Sequence, residues 1–215
     1  MPIAPEDQTA QRLLEAAGQV FAEQGFQSAT VRDICARAGA NVAAVNYHFR
    51  DKMGLYVAVL RKSVGAESAE SFRQLAATNK DPEAALRAII HQTLHRILGM
   101  SDSNAWHSRI MAHELAQPSA ALDRVVEEVI GPNYAVLRKV LSRILGTPPG
   151  HDRTRLCAHS IIGQIMHYSQ GRQVISRLWP KLEYTKDRVN QIADHITEFS
   201  LNSLRSIAKK KGTTA

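Results

Sequence analysis

Residues 28–55 read Ser28-Ala29-Thr30-Val31-Arg32-Asp33-Ile34-Cys35-Ala36-Arg37-Ala38-Gly39-Ala40-Asn41-Val42-Ala43-Ala44-Val45-Asn46-Tyr47-His48-Phe49-Arg50-Asp51-Lys52-Met53-Gly54-Leu55. Thr30 to Ala38 is predicted as a short helix. Thr30 can cap its start, and Asp33 three residues on completes a capping-box pattern. Gly39-Ala40-Asn41 reads as a turn, and Val42 to His48 as a second short helix with Asn41 as its N-cap. Helices this short are unstable alone, so neighbours must hold them. A short helix, a three-residue glycine turn and another short helix form the helix-turn-helix pattern. Cys35, four residues before Gly39, supplies the small side chain that a close helix crossing requires. Val45, six residues after Gly39, fills the space beneath. Val31, Ile34 and Phe49 complete a small core with Leu13, Ala17 and Phe21.

Outward from this stretch the chain reads as helices. Leu13, Ala17, Val20 and Phe21 share one face, with Gly25 placed as a C-terminal cap. A fourth helix is expected from Asp51 towards Phe72, and a fifth from Pro82 with Leu86, Ile89, Ile90, Leu94, Ile97 and Leu98 on its apolar face. A sixth is expected over Asn104 to Leu115. A long one follows from Pro118-Ser119, kinked by Pro132. Gly146-Thr147-Pro148-Pro149-Gly150 is a loop. Arg153 to Gly171 and Thr185 to Lys209 are the last two helices, with Arg172 to Tyr184 as a connection. No strand alternation or hairpin dipeptide stands out. The expected fold is all-α with about nine helices.

The 215 residues carry a net charge of +7, with 44% hydrophobic and 22% charged residues. That is a globular balance. No apolar run approaches the roughly 18 residues of a membrane span. The start Met1-Pro2-Ile3-Ala4-Pro5-Glu6-Asp7 lacks the regions of a signal peptide. Cys35 and Cys157 make neither a disulfide framework nor a CxxC. A cytoplasmic protein without membrane association is expected. Residues 1–62 hold 7 basic and 6 acidic side chains, and residues 63–215 hold 20 and 14. Most of the positive excess therefore lies outside the helix-turn-helix, and Lys209-Lys210-Lys211 contributes three charges.

The segment from Ser28 to Leu55 closely resembles the signature of the tetracycline-repressor (TetR) family, above all in Tyr47-His48-Phe49 followed by Lys52 and Leu55. Phe21-Ala22-Glu23-Gln24-Gly25-Phe26 is also similar to that family, and the match covers about residues 9–61. His107-Ser108-Arg109-Ile110-Met111-Ala112-His113-Glu114, Gly131-Pro132 and Asn46 before Tyr47 resemble its CecR-like branch. The second helix of a helix-turn-helix lies in the major groove and presents its N-terminal side chains to base edges. Those are Asn41, Val42, Ala43, Ala44 and Asn46. The alanines can approach a thymine methyl, and an asparagine can pair with adenine. The resemblance points Arg32 at DNA, where it can take a guanine or a phosphate; otherwise it is a solvated charge. Thr30 is a candidate phosphate clamp. The resemblance implies backbone contacts from Tyr47, His48 and Lys52. Tyr47 and His48 are equally readable as packed side chains.

The resemblance further implies a helix-turn-helix DNA-binding domain over 1–62 and an effector-binding and dimerisation domain over 63–215. Trp106, His107, Met111, His113, Tyr134, Met166, His167 and Tyr168 are candidate effector-pocket residues, mixing apolar bulk with polar tips. Ile161, Ile165, Ile192, Ile196 and Phe199 are candidate dimer-interface residues, with Ala158, Ser160 and Gly163 allowing close approach. His91 and His95 have a metal-compatible spacing, for which chance is the better explanation. Gln117 stands where the second His of HExxH would be. No catalytic residue, metal or cofactor is assigned. The expected function is a dimeric transcriptional repressor, binding a near-palindromic double-stranded DNA operator and released by a small-molecule effector. An activator, a ligand-independent DNA-binding regulator and, remotely, a helical enzyme are the alternatives.

Overall fold

Three short polar side chains start the helices of the N-terminal segment. Thr30 Oγ1 accepts from the Asp33 amide at 3.1 Å, Asn41 Oδ1 from Ala44 at 2.9 Å and Asp51 Oδ1 from Gly54 at 2.7 Å. Each satisfies an N–H that a first helical turn leaves without a partner. The helices they open are α2 (Val31–Ala38), α3 (Val42–Phe49) and α4 (Lys52–Ser63), preceded by α1 (Pro5–Ser28). The computed structural model describes residues 5–65, 68–98 and 106–209.

Gly25 does not end α1 as expected. It interrupts the helix at φ 74° and ψ 168°, and a further turn runs to Ser28. α4 stops at Ser63, short of Phe72, because Gly65 takes φ 72°, a left-handed conformation that ends a right-handed helix. Phe72 belongs instead to α5 (Ser68–Thr78). α6 (Pro82–Leu98) begins at Pro82 as expected, capped by Asp81. α7 spans Trp106–Ala116; the expected start at Asn104 lies outside the described residues.

The long helix with the expected kink comes as α8 (Ala120–Val125), a π-helical turn (Val126–Ile130) and α9 (Gly131–Leu145). Pro132 has no N–H and its ring crowds the preceding turn, so the wider i→i+5 turn absorbs the mismatch. α10 (Asp152–Gln170), α11 (Arg172–Leu178) and α12 (Lys186–Lys209) follow. α11 occupies part of the stretch expected as a connection. Because α8, the π turn and α9 run on without a break, the helices of the described residues number 11, not about nine. No strand occurs among the described residues. Lys210 and Lys211 lie outside them.

The chain divides into two compact units. The first takes residues 1–66 and 102–130, the second 67–101 and 131–215. In the first, Leu13, Ala17, Phe21, Ile34, Val45, Leu55 and Leu60 are buried with Trp106, Ile110 and Val125 from α7 and α8. In the second, Leu86, Ile90, Leu94, Leu141, Ala158, Ile161 and Ile192 are buried around α6, α9, α10 and α12. Helices α7 and α8 therefore pack with the helix-turn-helix, although they fall beyond the expected functional division at residue 62.

Candidate DNA-reading site

Gly39 makes the turn between α2 and α3. It sits at φ 59° and ψ 42°, which a side chain would strain. The Ala40 amide donates to Cys35 O at 3.0 Å, so the crossing is tight where Cys35 is small. Burial pushes the Cys35 thiol up, away from the reactive thiolate. Val45 is fully buried beneath the turn.

Val45 and Phe49, four residues apart on one face of α3, turn to the core. Val42, Ala43, Asn46 and Tyr47 form one exposed stripe, and Tyr47 is 73% accessible. That decides against a core role for Tyr47. Its ring packs edge-on against His48, which is half-buried and lies near Phe49. Ala44 is half-buried against the core, at the margin of the stripe. Arg32 is exposed on α2, and no carboxylate among the described residues pairs with it.

Three candidates are partly committed to the fold. Thr30 is an N-cap, and its hydroxyl also donates to Asp33 Oδ2 at 2.7 Å. Asn41 spends its side-chain oxygen on Ala44 N, leaving its amide NH2 as the donor. Lys52 Nζ donates to Gln27 O at 3.3 Å and stands 4.6 Å from the Phe26 ring centroid. That cation–π contact ties the start of α4 to the end of α1. Arg37, by contrast, makes a bidentate pair with Glu23 on α1, at 2.8 and 2.9 Å.

Sequence reasoning missed one buried polar centre in the same unit. Glu114 on α7 is 1% exposed. It accepts from Tyr56 OH of α4 at 2.6 Å, and from Ser119 N and Oγ at 2.6 and 2.9 Å. Burial and this bond push the Tyr56 phenol far above the ordinary tyrosine range. Tyr56 and Glu114 stand 58 positions apart, so no local spacing signals the pair.

The candidate pocket residues divide between the two units. Trp106, His107, Met111 and His113 lie in the first unit, and Tyr134, Met166, His167 and Tyr168 in the second. Trp106 is core: it stacks on His107 at 3.6 Å, lies over Gly18 and donates from Nε1 to Glu15 at 2.8 Å. His113 and His167 are exposed. Tyr134 OH meets His159 Nε2 at 3.2 Å. A shallow pocket of about 370 Å³ in the second unit is lined by Arg153, Leu156, Cys157 and Ile207, none of them candidates.

Four of the five dimer candidates are buried within the single chain. Ile161, Ile165, Ile192 and Ile196 are buried in the second unit's own core, because α6 and α9 already cover them. Phe199 is 59% exposed. His91 and His95 each face their own partner on α12, Asp194 at 3.0 Å and Asn190 at 2.6 Å.

The model of the tetR family of bacterial regulatory proteins matches residues 13–59, the segment that holds this site. A second, for the C-terminal domain of the HTH-type transcriptional dual regulator CecR, matches residues 82–204. The chain belongs to the TetR family. It carries the CecR type of C-terminal domain. CecR of Shigella flexneri is 30% identical over 177 residues, 79% of either chain. Two solved structures share the fold at lower identity. FadR of Bacillus halodurans has a TM-score of 0.68 at 19% identity, over 91% of this chain and 99% of its own. FadR of Bacillus subtilis, solved with stearoyl-CoA, has 0.67 at 17%, over 89% and 97%. This TetR-family chain is thus a DNA-binding transcriptional regulator. No helix among its described residues is long and apolar enough to cross a membrane.

Proposed function

We propose that the regulator is a repressor that reads a near-palindromic operator as a homodimer and is released by a small-molecule effector. The observation that carries the reading is the exposed stripe of Val42, Ala43, Asn46 and Tyr47 on a helix held from behind by Val45 and Phe49. Residues 1–62 serve DNA, and residues 63–215 serve effector and partner. Asn46 and Arg32 read base edges, Val42, Ala43 and Ala44 give apolar contact, and Asn41 donates through its amide NH2. Thr30, Tyr47, His48 and Lys52 fix the register on the backbone.

The partner face lies on α10 and α12, shifted from the candidate isoleucines to their outer sides. Leu156 (69% exposed), Ser160, Gly163 and His167 follow helical spacing on α10, and Phe199 stands out on α12. A Cβ on Gly163 would meet open space, which leaves room for a partner helix to approach. For the effector, Tyr168 offers the best support among the candidates. It lies near Tyr184, whose buried hydroxyl has no hydrogen-bond partner among the described residues. A bound ligand could satisfy that group.

A CecR relative named a dual regulator makes activation the second reading. Footprinting on DNA flanking the protein's own gene tests the proposal. The expected result is two protected half-sites about one helical turn apart, overlapping a promoter. A site wholly upstream of the promoter favours activation, and no protected site removes both readings.

A further inference from the structure

Arg50 is the residue with positive φ, other than glycine, among the described residues: φ 75° and ψ −49°. Such a conformation costs an arginine free energy that a glycine would not lose. The turn around it leaves no choice. Asp51 caps α4 through Gly54 N, and a Cβ on Gly54 would come within 2.0 Å of Phe49 O. α4 therefore closes directly onto the last carbonyl of α3. Arg50 keeps the helical rise all the same, since its amide donates to Asn46 O at 3.1 Å.

That bond sets where the side chain starts. Arg50 follows Asn46 by four residues and Tyr47 by three, so its Cα sits at the end of the exposed stripe, and its positive φ turns the side chain off the helical direction. The residue is exposed, and no hydrogen bond or ion pair among the described residues holds its guanidinium. Lys52, the cation named by the family signature on this flank, is instead engaged with Phe26 and Gln27. Residues 1–62 carry a net charge of only +1, so each uncommitted cation beside the stripe matters.

We propose that Arg50 is a further DNA-positioning residue, whose guanidinium takes a backbone phosphate beside the α3 stripe and for which the chain accepts a strained turn. The proposal rests on α3 being the DNA-reading helix. A phosphate contact is independent of base sequence, so the probe is a mixed-sequence DNA duplex of about three helical turns. Full-length wild type, R50G and R50K are titrated over a salt series, and each is melted. R50G is expected to weaken binding and to lower the slope of log K against log salt by about one unit per protomer. Its melting temperature stays level or rises, because glycine relieves the backbone. R50K keeps the slope.

An unchanged slope in R50G overturns the proposal. So does a melting temperature lowered by R50G, which would make the guanidinium a brace of the turn. Loss of the slope in R50K as well as R50G would also overturn it, since charge would not be the agent. If wild type itself shows no salt-dependent duplex binding, the assignment of α3 falls, and Arg50 with it. That outcome appears before any substitution and is distinguishable from the others.

Discussion

Lys52 shows how one side chain can serve two ends. Its place after the Tyr47-His48-Phe49 run suggests a phosphate contact, and its exposure permits one. Yet Phe26 and the Gln27 carbonyl hold it in the free protein. Lys52→Ala is therefore expected to do two things at once. It should lower the salt slope by about one unit per protomer, and it should lower stability by about 0.5–1 kcal/mol through the lost cation–π contact. Denaturant titration beside salt-dependent binding separates the two, and unchanged stability would show the contact to be idle. The caps at Thr30 and Asn41 were legible because capping is local. Lys52's partners lie 25 and 26 residues away, so spacing could not reveal them. Base reading is tested at Asn46 and Arg32. Replacing either by alanine should flatten binding across single-base operator variants, whereas a uniform loss would mean a backbone contact.

At the scale of elements, the joint between α3 and α4 is the most constrained. Gly54→Ala places a Cβ against Phe49 O and is expected to cost about 1–3 kcal/mol or more, seen as an earlier denaturation midpoint. α7 is held to α4 by Glu114. Glu114→Ala strands Tyr56 OH and the Ser119 amide in a buried site, with an expected loss of at least about 1–3 kcal/mol. Glu114→Gln should lose less, because an amide oxygen can still accept. The raised Tyr56 pKa has a sign. Its stabilisation is complete below the ordinary tyrosine value of about 10 and is lost as pH rises beyond it. Tyr56→Phe should therefore flatten the alkaline limb of the stability profile; an identical limb would reject the coupling.

The elements also show where sequence reading stops. Apolar spacing and caps found α2, α3 and α6 nearly to the residue. They overran at α4, because a left-handed Gly65 matters more than continued periodicity. They missed α11, whose seven residues carry little pattern. The π turn before Pro132 depends on how that helix packs, and no spacing announces it.

For the whole molecule, the net charge of +7 was a poor guide to the DNA-reading face. The proposed face rests instead on the direction of a few side chains around Gly39. Part of the remaining charge is used in ties within the second unit. Arg205 of α12 pairs with Glu83 of α6, and Arg87 of α6 with Asp194 of α12. Arg205 holds the Glu83 carboxyl below its usual range, so this contribution is present above the ordinary carboxylate pKa and is lost as pH falls. Glu83→Gln should reduce the acid sensitivity of unfolding slightly, as exposed pairs are weak. The candidate isoleucines illustrate the limit of inference at this scale. Periodicity identified an apolar face on α10 and α12, but a face that fills the chain's own core looks the same in sequence as one that meets a second copy.

The first unit is assembled from two separated pieces of chain, and that governs how the protein can be recombined. Trp106 rests on Gly18, and Ile110 and Val125 share the core of the helix-turn-helix. A reading head cut at residue 62 and grafted onto another sensor would arrive with part of its interior missing. A working chimaera must transplant residues 106–130 together with the N-terminus, or exchange only the exposed side chains of α3.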